Sequence, residues 1–347
     1  MGERTGIAWS DATWNPIRGC SRVSEGCRHC YAERVAGRFR REGQPYHGLV
    51  KAHETLSTGE IEMRWTGEVR WVEEALTLPL RWRRPRCIFV NSMSDLFHEM
   101  VPDEWIARVF AVMLLAPRHY FQVLTKRPER MATLLNKPAF DAHVESQAYA
   151  LSRENAPDLL TYESIQKVGI KWPLPHAHLG VSVEDQPTAD ARIPLLLQTP
   201  AAVRIVSYEP ALAPVEFLGS WHDWLRGWTT EPEHAGDGSC RDGQHQNCPQ
   251  PVQVHTEKID WLIVGGESGP GARPCDVAWI RSAVAQCKAA GVPVFVKQLG
   301  ARSGELSDPQ EGYATTPRPW IPLKLRHRAG ADPAEWPEDL RVQEWPR

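Results

Sequence analysis

The sequence predicts an α/β fold: a parallel (β/α) barrel, partial or complete, that carries loop insertions. Three observations lead there. Six short runs are apolar at nearly every position, as strands covered on both faces are. Helical patterns alternate with them, which is how parallel strands are connected. Polar and charged residues recur where the runs end, and in a barrel the carboxyl ends of all strands open onto one mouth.

Along the chain, the strand-type runs are Cys87 to Asn91 (CIFVN), Tyr120 to Thr125 (YFQVLT), Leu179 to Val183 (LGVSV), Val203 to Ser207 (VRIVS), Trp261 to Gly265 (WLIVG) and Val294 to Lys297 (VFVK). The helical segments are Tyr31 to Arg41, Asp103 to Leu115, Pro128 to Asn136, Pro187 to Leu197 and Val277 to Ala290. Asp103, Asp185 and Asp276 stand where an N-cap belongs, and Gly291 where a C-cap belongs. Residues 1–347 then form one barrel domain. Residues 137–176 and the Cys/His-rich stretch 218–258 interrupt the alternation and read as insertions. Residues 301–347, rich in Pro, Trp and charge, read as a C-terminal wrap.

Hydrophobic residues at 42% and charged residues at 24% describe a globular chain and exclude global disorder. The longest apolar stretches, such as Val109 to Ala116, fall short of the roughly 20 residues a membrane span needs. A net charge of −3 supplies no bulk basic field, so nucleic acid would have to be met by a local patch. The N-terminus is polar and lacks the hydrophobic run of a signal peptide. The expectation is a cytoplasmic protein whose eight cysteines are reduced, which favours metal binding or catalysis over disulfides.

The strongest chemical signal is Cys20, Cys27 and Cys30, spaced C-x6-C-x2-C. Gly19 and Gly26 each precede a cysteine and permit the tight backbone of a metal loop. The helix starting at Tyr31 places its positive N-terminal dipole beside the third thiol. Three thiolates can hold three irons of a 4Fe–4S cluster and leave the fourth open to an exogenous ligand. A closed site would recruit a fourth ligand from His29 or from a distant Cys87, Cys275 or Cys287.

The segments WNP-x-x-GC, VS-x-GC-x-x-CYAE, NSMSDLFH (Asn91 to His98), LTKR (Leu124 to Arg127), GVSVE (Gly180 to Glu184), GGESGPGARP (Gly265 to Pro274) and the terminal EWPEDLRV resemble a phage-associated three-cysteine-motif family. That family is radical-SAM-like and distantly resembles spore photoproduct lyase. The resemblance implies a radical-SAM type of barrel in which Cys20, Cys27 and Cys30 bind a 4Fe–4S cluster and S-adenosylmethionine chelates its unique iron. It also implies a reducing electron donor. The first gap is three residues longer here than the usual C-x3-C-x2-C, and His29 replaces the usual aromatic before the last cysteine. Gly265-Gly266-Glu267 resembles the segment that binds the cofactor's amino group, although it lies late in the chain.

Ser182, Glu184, Gly265, Gly266, Glu267 and Lys297 are therefore candidate cofactor-binding residues, and Lys126, Glu209 and Asp95 candidate catalytic residues. Asp95 and His98 could act as acid–base partners, and Ser207 could bond a substrate. Cys240, His245 and Cys248, with His234 or His222 as a fourth ligand, are a candidate zinc site. Arg34, Arg38, Arg40, Arg41 and the run RWRRPR (Arg81 to Arg86), near Trp65, Trp71 and Trp82, offer the cation-and-ring pairing that holds nucleic-acid bases. The leading expectation is an iron–sulfur, S-adenosylmethionine-dependent radical enzyme that modifies or repairs nucleic acid or a nucleotide. The alternative is a metal-stabilised protein that binds nucleic acid or a partner protein without turnover. A third reading is a non-radical enzyme with zinc on the cysteines. No membrane partner is expected.

Overall fold

The structure, a computed structural model, describes residues 5–55, 59–154, 166–167, 169–219, 222–231, 252–306 and 320–346. Its centre is a seven-stranded sheet curled into a half-barrel with flanking helices. The strands, numbered within this sheet, are β1 (Ala12–Trp14), β2 (Cys87–Val90), β3 (Tyr120–Thr125), β4 (Ala177–Val183), β5 (Val203–Tyr208), β6 (Trp261–Gly265) and β7 (Val294–Gln298). They lie side by side in chain order, and every pairing is parallel. The longer helices are α1 (Tyr31–Arg38), α2 (Asp103–Leu115), α3 (Pro128–Leu135), α4 (Phe140–Glu154), α5 (Gln186–Leu197) and α6 (Val277–Ala290).

Strand side chains alternate between two apolar environments, which is why these runs show no polar face. One set, including Ile88, Val90, Phe121, Val123, Leu179 and Val181, packs with Ile106, Phe110, Ile193 and Ile280 of the helices. The other set fills the concave face. The register ties Phe89, Gln122, His178 and Val203 into one row across β2 to β5. The next row is Leu124, Gly180, Ile205 and Trp261, and the row above it is Ser182, Ser207, Ile263 and Phe295. Each row begins one strand further along, the stagger expected of tilted barrel strands. The first row holds the buried polar residues Gln122 and His178, and the last row presents Ser182 and Ser207 to the cavity at the strands' carboxyl ends.

Most caps lie where the sequence places them. Asp185 accepts a hydrogen bond from the Thr188 amide, Asp276 accepts one from the Ala278 amide, and Gly291 closes α6 with φ 68°. Asp103 is different. Pro102 is the N-cap of α2, and Asp103 sits inside the first turn, where its carboxylate pairs with Arg130 and Lys137 at 3.0 and 2.9 Å. Helix α1 ends at Arg38 rather than Arg41: Phe39 leaves helical geometry at φ −122° and ψ 41°, and the Arg40 guanidinium donates to the Gly37 carbonyl at 2.7 Å. Strand β2 ends at Val90 because Asn91 turns to φ 56°.

Residues 137–176 contain α4, whose Phe140, Val144, Ala148 and Leu151 join the main core. Within 218–258, His222–Asp223, Trp228–Glu231 and Val252–His255 form a small antiparallel sheet. In the tail, Trp336 and Leu340 are buried. Further on, the Val296 amide bonds to the Val342 carbonyl and the Glu344 amide to the Val294 carbonyl. The last residues therefore cover the outer edge of β7, which would otherwise present unpaired backbone.

Candidate metal and ligand site at the half-barrel mouth

A cavity of about 450 Å³ opens at the carboxyl ends of the strands. Cys20, Cys27 and Cys30 line it, together with Asp95, Lys126, Ser182, Ser207, Glu209, Glu267 and Lys297 from the strand ends. The topology brings these residues together because every strand runs in the same direction.

The cysteine segment is folded tightly against the sheet. Gly19 has φ 93°, and a Cβ there would lie 2.1 Å from the Glu68 carbonyl oxygen, so only glycine fits. Gly26 meets the Glu184 carboxylate so closely that a Cβ would lie 2.3 Å from Oε1. Arg22 folds back onto buried Glu33 of α1, with contacts of 2.6 to 3.0 Å, and Glu33 also accepts the Trp65 amide at 3.0 Å. Cys30 is the N-cap residue of α1.

The three thiols lie within reach of one another's charge. Burial pushes the Cys20 thiol well up, Asp95 adds to the rise, Arg127 opposes it, and Cys30 and Cys27 contribute further upward. Burial also raises Cys30, against the pull of the Glu33 and Ala32 amides at the start of α1. Thiol ligands bind a metal as thiolates, so metal binding at these residues would release protons. Among the described residues, no group of three or more His, Cys, Asp or Glu is arranged to hold a single metal ion. Thiolates on separate irons of a cluster are spaced more widely than thiolates sharing one ion. An iron–sulfur cluster would draw on these three thiols, all of which line the cavity, with a guanidinium beside Cys20 to offset negative charge.

That guanidinium belongs to Arg127, whose role the sequence did not single out. Its Nη1 lies 3.8 Å from the Cys20 sulfur and 3.1 Å from Asp95, its Nη2 donates to the Ser21 hydroxyl at 2.7 Å, and its Nε donates to Glu99 at 2.8 Å. Asp95 is fully engaged. It accepts from the Thr125 hydroxyl at 2.7 Å and from the Phe97 and Lys126 amides at 2.9 and 3.1 Å. His98 is completely buried, accepts the Met100 amide on Nδ1 at 3.1 Å, and turns Nε2 towards the Ser21 hydroxyl at 2.9 Å. With Nδ1 accepting, the proton resides on Nε2. Asp95 and His98 thus position the cysteine segment through Arg127 and Ser21.

Glu184 closes a second junction. Its carboxylate meets Lys126, Arg192 at 3.1 Å and the Ser24 hydroxyl at 3.0 Å. Burial alone would raise this carboxyl, but Lys126 and Arg192 hold it below the ordinary carboxylate range. Glu267 is likewise occupied. Arg273 contacts it at 2.8 Å and, against the effect of burial, keeps its carboxyl below the ordinary range. Gly265 and Gly266 do not line the cavity. They pack against Gln298 and Leu299, where a Cβ on Gly266 would lie 2.2 Å from the Leu299 carbonyl oxygen. Lys297 and Glu209 form an ion pair of 2.6 Å on the cavity wall, with the Gln298 amide also on Glu209 at 3.1 Å.

The model of a family described as a protein of unknown function (DUF5131) matches residues 4–320. The chain belongs to that DUF5131 family. No curated protein and no solved structure matches it.

Of the remaining sequence candidates, His29 also lines this cavity. In this DUF5131 chain, Cys240, His245, Cys248 and His234 lie outside the described residues. His222 stacks on Trp224 at 3.8 Å, and its Nε2 is 3.0 Å from the Glu216 carbonyl. The tryptophans near the basic runs are packed against neighbouring side chains, Trp65 while also lining the cavity. Trp65 sits against Tyr46, Trp82 is buried beneath Arg86, and Trp71 lies between Trp105 and Arg108. No helix among the described residues is long and apolar enough to cross a membrane.

Proposed function

We propose that this DUF5131 protein is an iron–sulfur enzyme of the radical S-adenosylmethionine type, acting on nucleic acid or a nucleotide. The observation that carries the reading is the meeting of Cys20, Cys27 and Cys30 at the carboxyl-end mouth of a parallel half-barrel, on the wall of one cavity. Cys20, Cys27 and Cys30 would hold the cluster and leave one iron open for S-adenosylmethionine. When bound, that pair supplies a strongly oxidising carbon radical after one-electron reduction, and the chain need supply no comparable chemistry itself.

The protein's own residues do four things. Arg127 places positive charge beside Cys20 and fixes the cysteine segment through Ser21 and Asp95. Glu184 ties the same segment to β4 through Ser24. Ser182 and the Lys297–Glu209 pair present hydroxyl, ammonium and carboxylate groups to a polar ligand. Phe89 and Leu124 of the concave face give the cavity an apolar surface.

The test is anaerobic reconstitution with iron and sulfide, then reduction in the presence of S-adenosylmethionine. The expected product is 5′-deoxyadenosine, measured chromatographically. An iron-loaded protein that leaves S-adenosylmethionine intact under strong reductant contradicts the proposal.

A further inference from the structure

The cavity described above has an aromatic floor and two buried polar side chains that nothing among the described residues satisfies. The floor is Trp9 against Phe89, with ring centroids 4.7 Å apart. Phe89 and Leu124 are only partly covered, so the apolar surface faces the opening. Asn91 stands two residues beyond Phe89, where β2 ends, and lines the same cavity.

Asn91 is 4% exposed, yet neither its side-chain Nδ2 nor its Oδ1 has a partner among the described residues. Trp9 is 2% exposed, and its indole N–H is likewise unpartnered. A buried polar group without a partner is unfavourable, so a fold keeps one only for a reason. The Asn91 backbone is pinned on both sides: its amide donates to the Trp14 carbonyl at 2.8 Å, and its carbonyl accepts the Ser94 amide at 3.2 Å. Its φ of 56° is a conformation asparagine tolerates better than most residues. The backbone of Asn91 is therefore fixed while its carboxamide is unsatisfied among the described residues. Of the side chains with orphaned polar atoms, Asn91 and Trp9 are the two that line this cavity.

We infer that Trp9, Phe89 and Asn91 form a nucleobase-binding subsite. A planar heterocycle fits over the aromatic floor, a donor and an acceptor on one base edge match the Asn91 carboxamide, and a further acceptor meets the Trp9 N–H. This deepens the proposed function by assigning the residues that recognise the base. Two sources share the chemistry: the base of a substrate nucleotide and the adenine of S-adenosylmethionine.

The test is calorimetric titration of the full-length protein, with its iron content measured on the same sample. The probes are adenosine, guanosine, cytidine, thymidine and S-adenosylhomocysteine. At least one nucleoside should bind saturably. Asn91→Gly removes the carboxamide without opposing the backbone conformation and should weaken binding tenfold or more. Trp9→Phe keeps an aromatic floor, loses the N–H and should weaken binding severalfold. Asn91→Asp keeps the size, replaces the donor with an acceptor and should reorder the preference among the nucleosides. S-adenosylhomocysteine competing with a preferred adenosine assigns the subsite to the cofactor's adenine. S-adenosylhomocysteine and a nucleoside binding together assign it to a substrate base. Absence of nucleoside binding at several millimolar, or unchanged binding in Asn91→Gly, overturns the inference. Nucleoside binding by a sample that takes up no iron would leave this subsite standing and remove the iron–sulfur reading. Iron loading and cofactor cleavage without nucleoside binding would do the reverse.

Discussion

At Glu184, a carboxylate 1% exposed meets two cations and a hydroxyl from three different segments of the chain. Its lowered pKa and its contacts describe a junction between the cysteine segment and the sheet. Removing one partner of a buried ion pair leaves the others uncompensated, at a cost of about 3–5 kcal/mol. Glu184→Ala should therefore lower the thermal midpoint sharply, and Glu184→Gln, which keeps hydrogen-bonding capacity, should lower it less. Equal stability of both variants and the wild type would mean that the cluster of charges holds nothing in place. Arg127 poses the same question from the other side of the segment. Its contacts with Cys20, Asp95, Ser21 and Glu99 make it the most connected side chain of the mouth.

In the sheet, one position controls how tightly the strands nest. Gly180 lies in the concave row between Leu124 and Ile205, and a Cβ there would stand 2.4 Å from the Ile205 carbonyl oxygen and 2.7 Å from a Leu124 methyl. Gly180→Ala should cost about 1–3 kcal/mol through overpacking. Ser182→Ala, on the same strand and face but at the cavity, should leave the midpoint nearly unchanged. A neutral Gly180→Ala would show that β4 and β5 are not packed this closely. Six of the seven strands were legible because burial on both faces makes them continuously apolar. Strand β1 was not, since its three residues are followed at once by Asn15 and Pro16. Helix α4 was hidden because its buried stripe is only Phe140, Val144, Ala148 and Leu151 among polar residues. At the site, cysteine spacing pointed to three thiols that line the cavity. Arg127, Trp9 and the unsatisfied state of Asn91 depend on neighbours distant in sequence, so no local pattern announced them.

Across the whole molecule, several buried histidines set an acid limit on stability. Burial, with a smaller push from His176, lowers His178 from its ordinary value to about 4, and burial also lowers His119 and His176. A histidine whose folded pKa is depressed takes up its proton more readily in the unfolded chain. Its contribution is complete above the ordinary value near 6.5 and is lost as pH falls towards the folded value. For His178 alone this is roughly 3 kcal/mol. The thermal midpoint should fall steadily between about pH 6.5 and pH 4, and His178→Gln should flatten that fall. An unchanged slope in the variant would show that His178 is not the titrating group.

The three thiols remain the centre of the account, and counting atoms on them is the most direct test. After anaerobic reconstitution and desalting, the wild type should carry about four iron and four sulfide per chain. Cys20→Ala, Cys27→Ala and Cys30→Ala should each lose most of both, with the fold intact by circular dichroism. A wild type that retains no iron, or single variants that keep a full complement, would contradict the assignment of these sulfurs to one cluster.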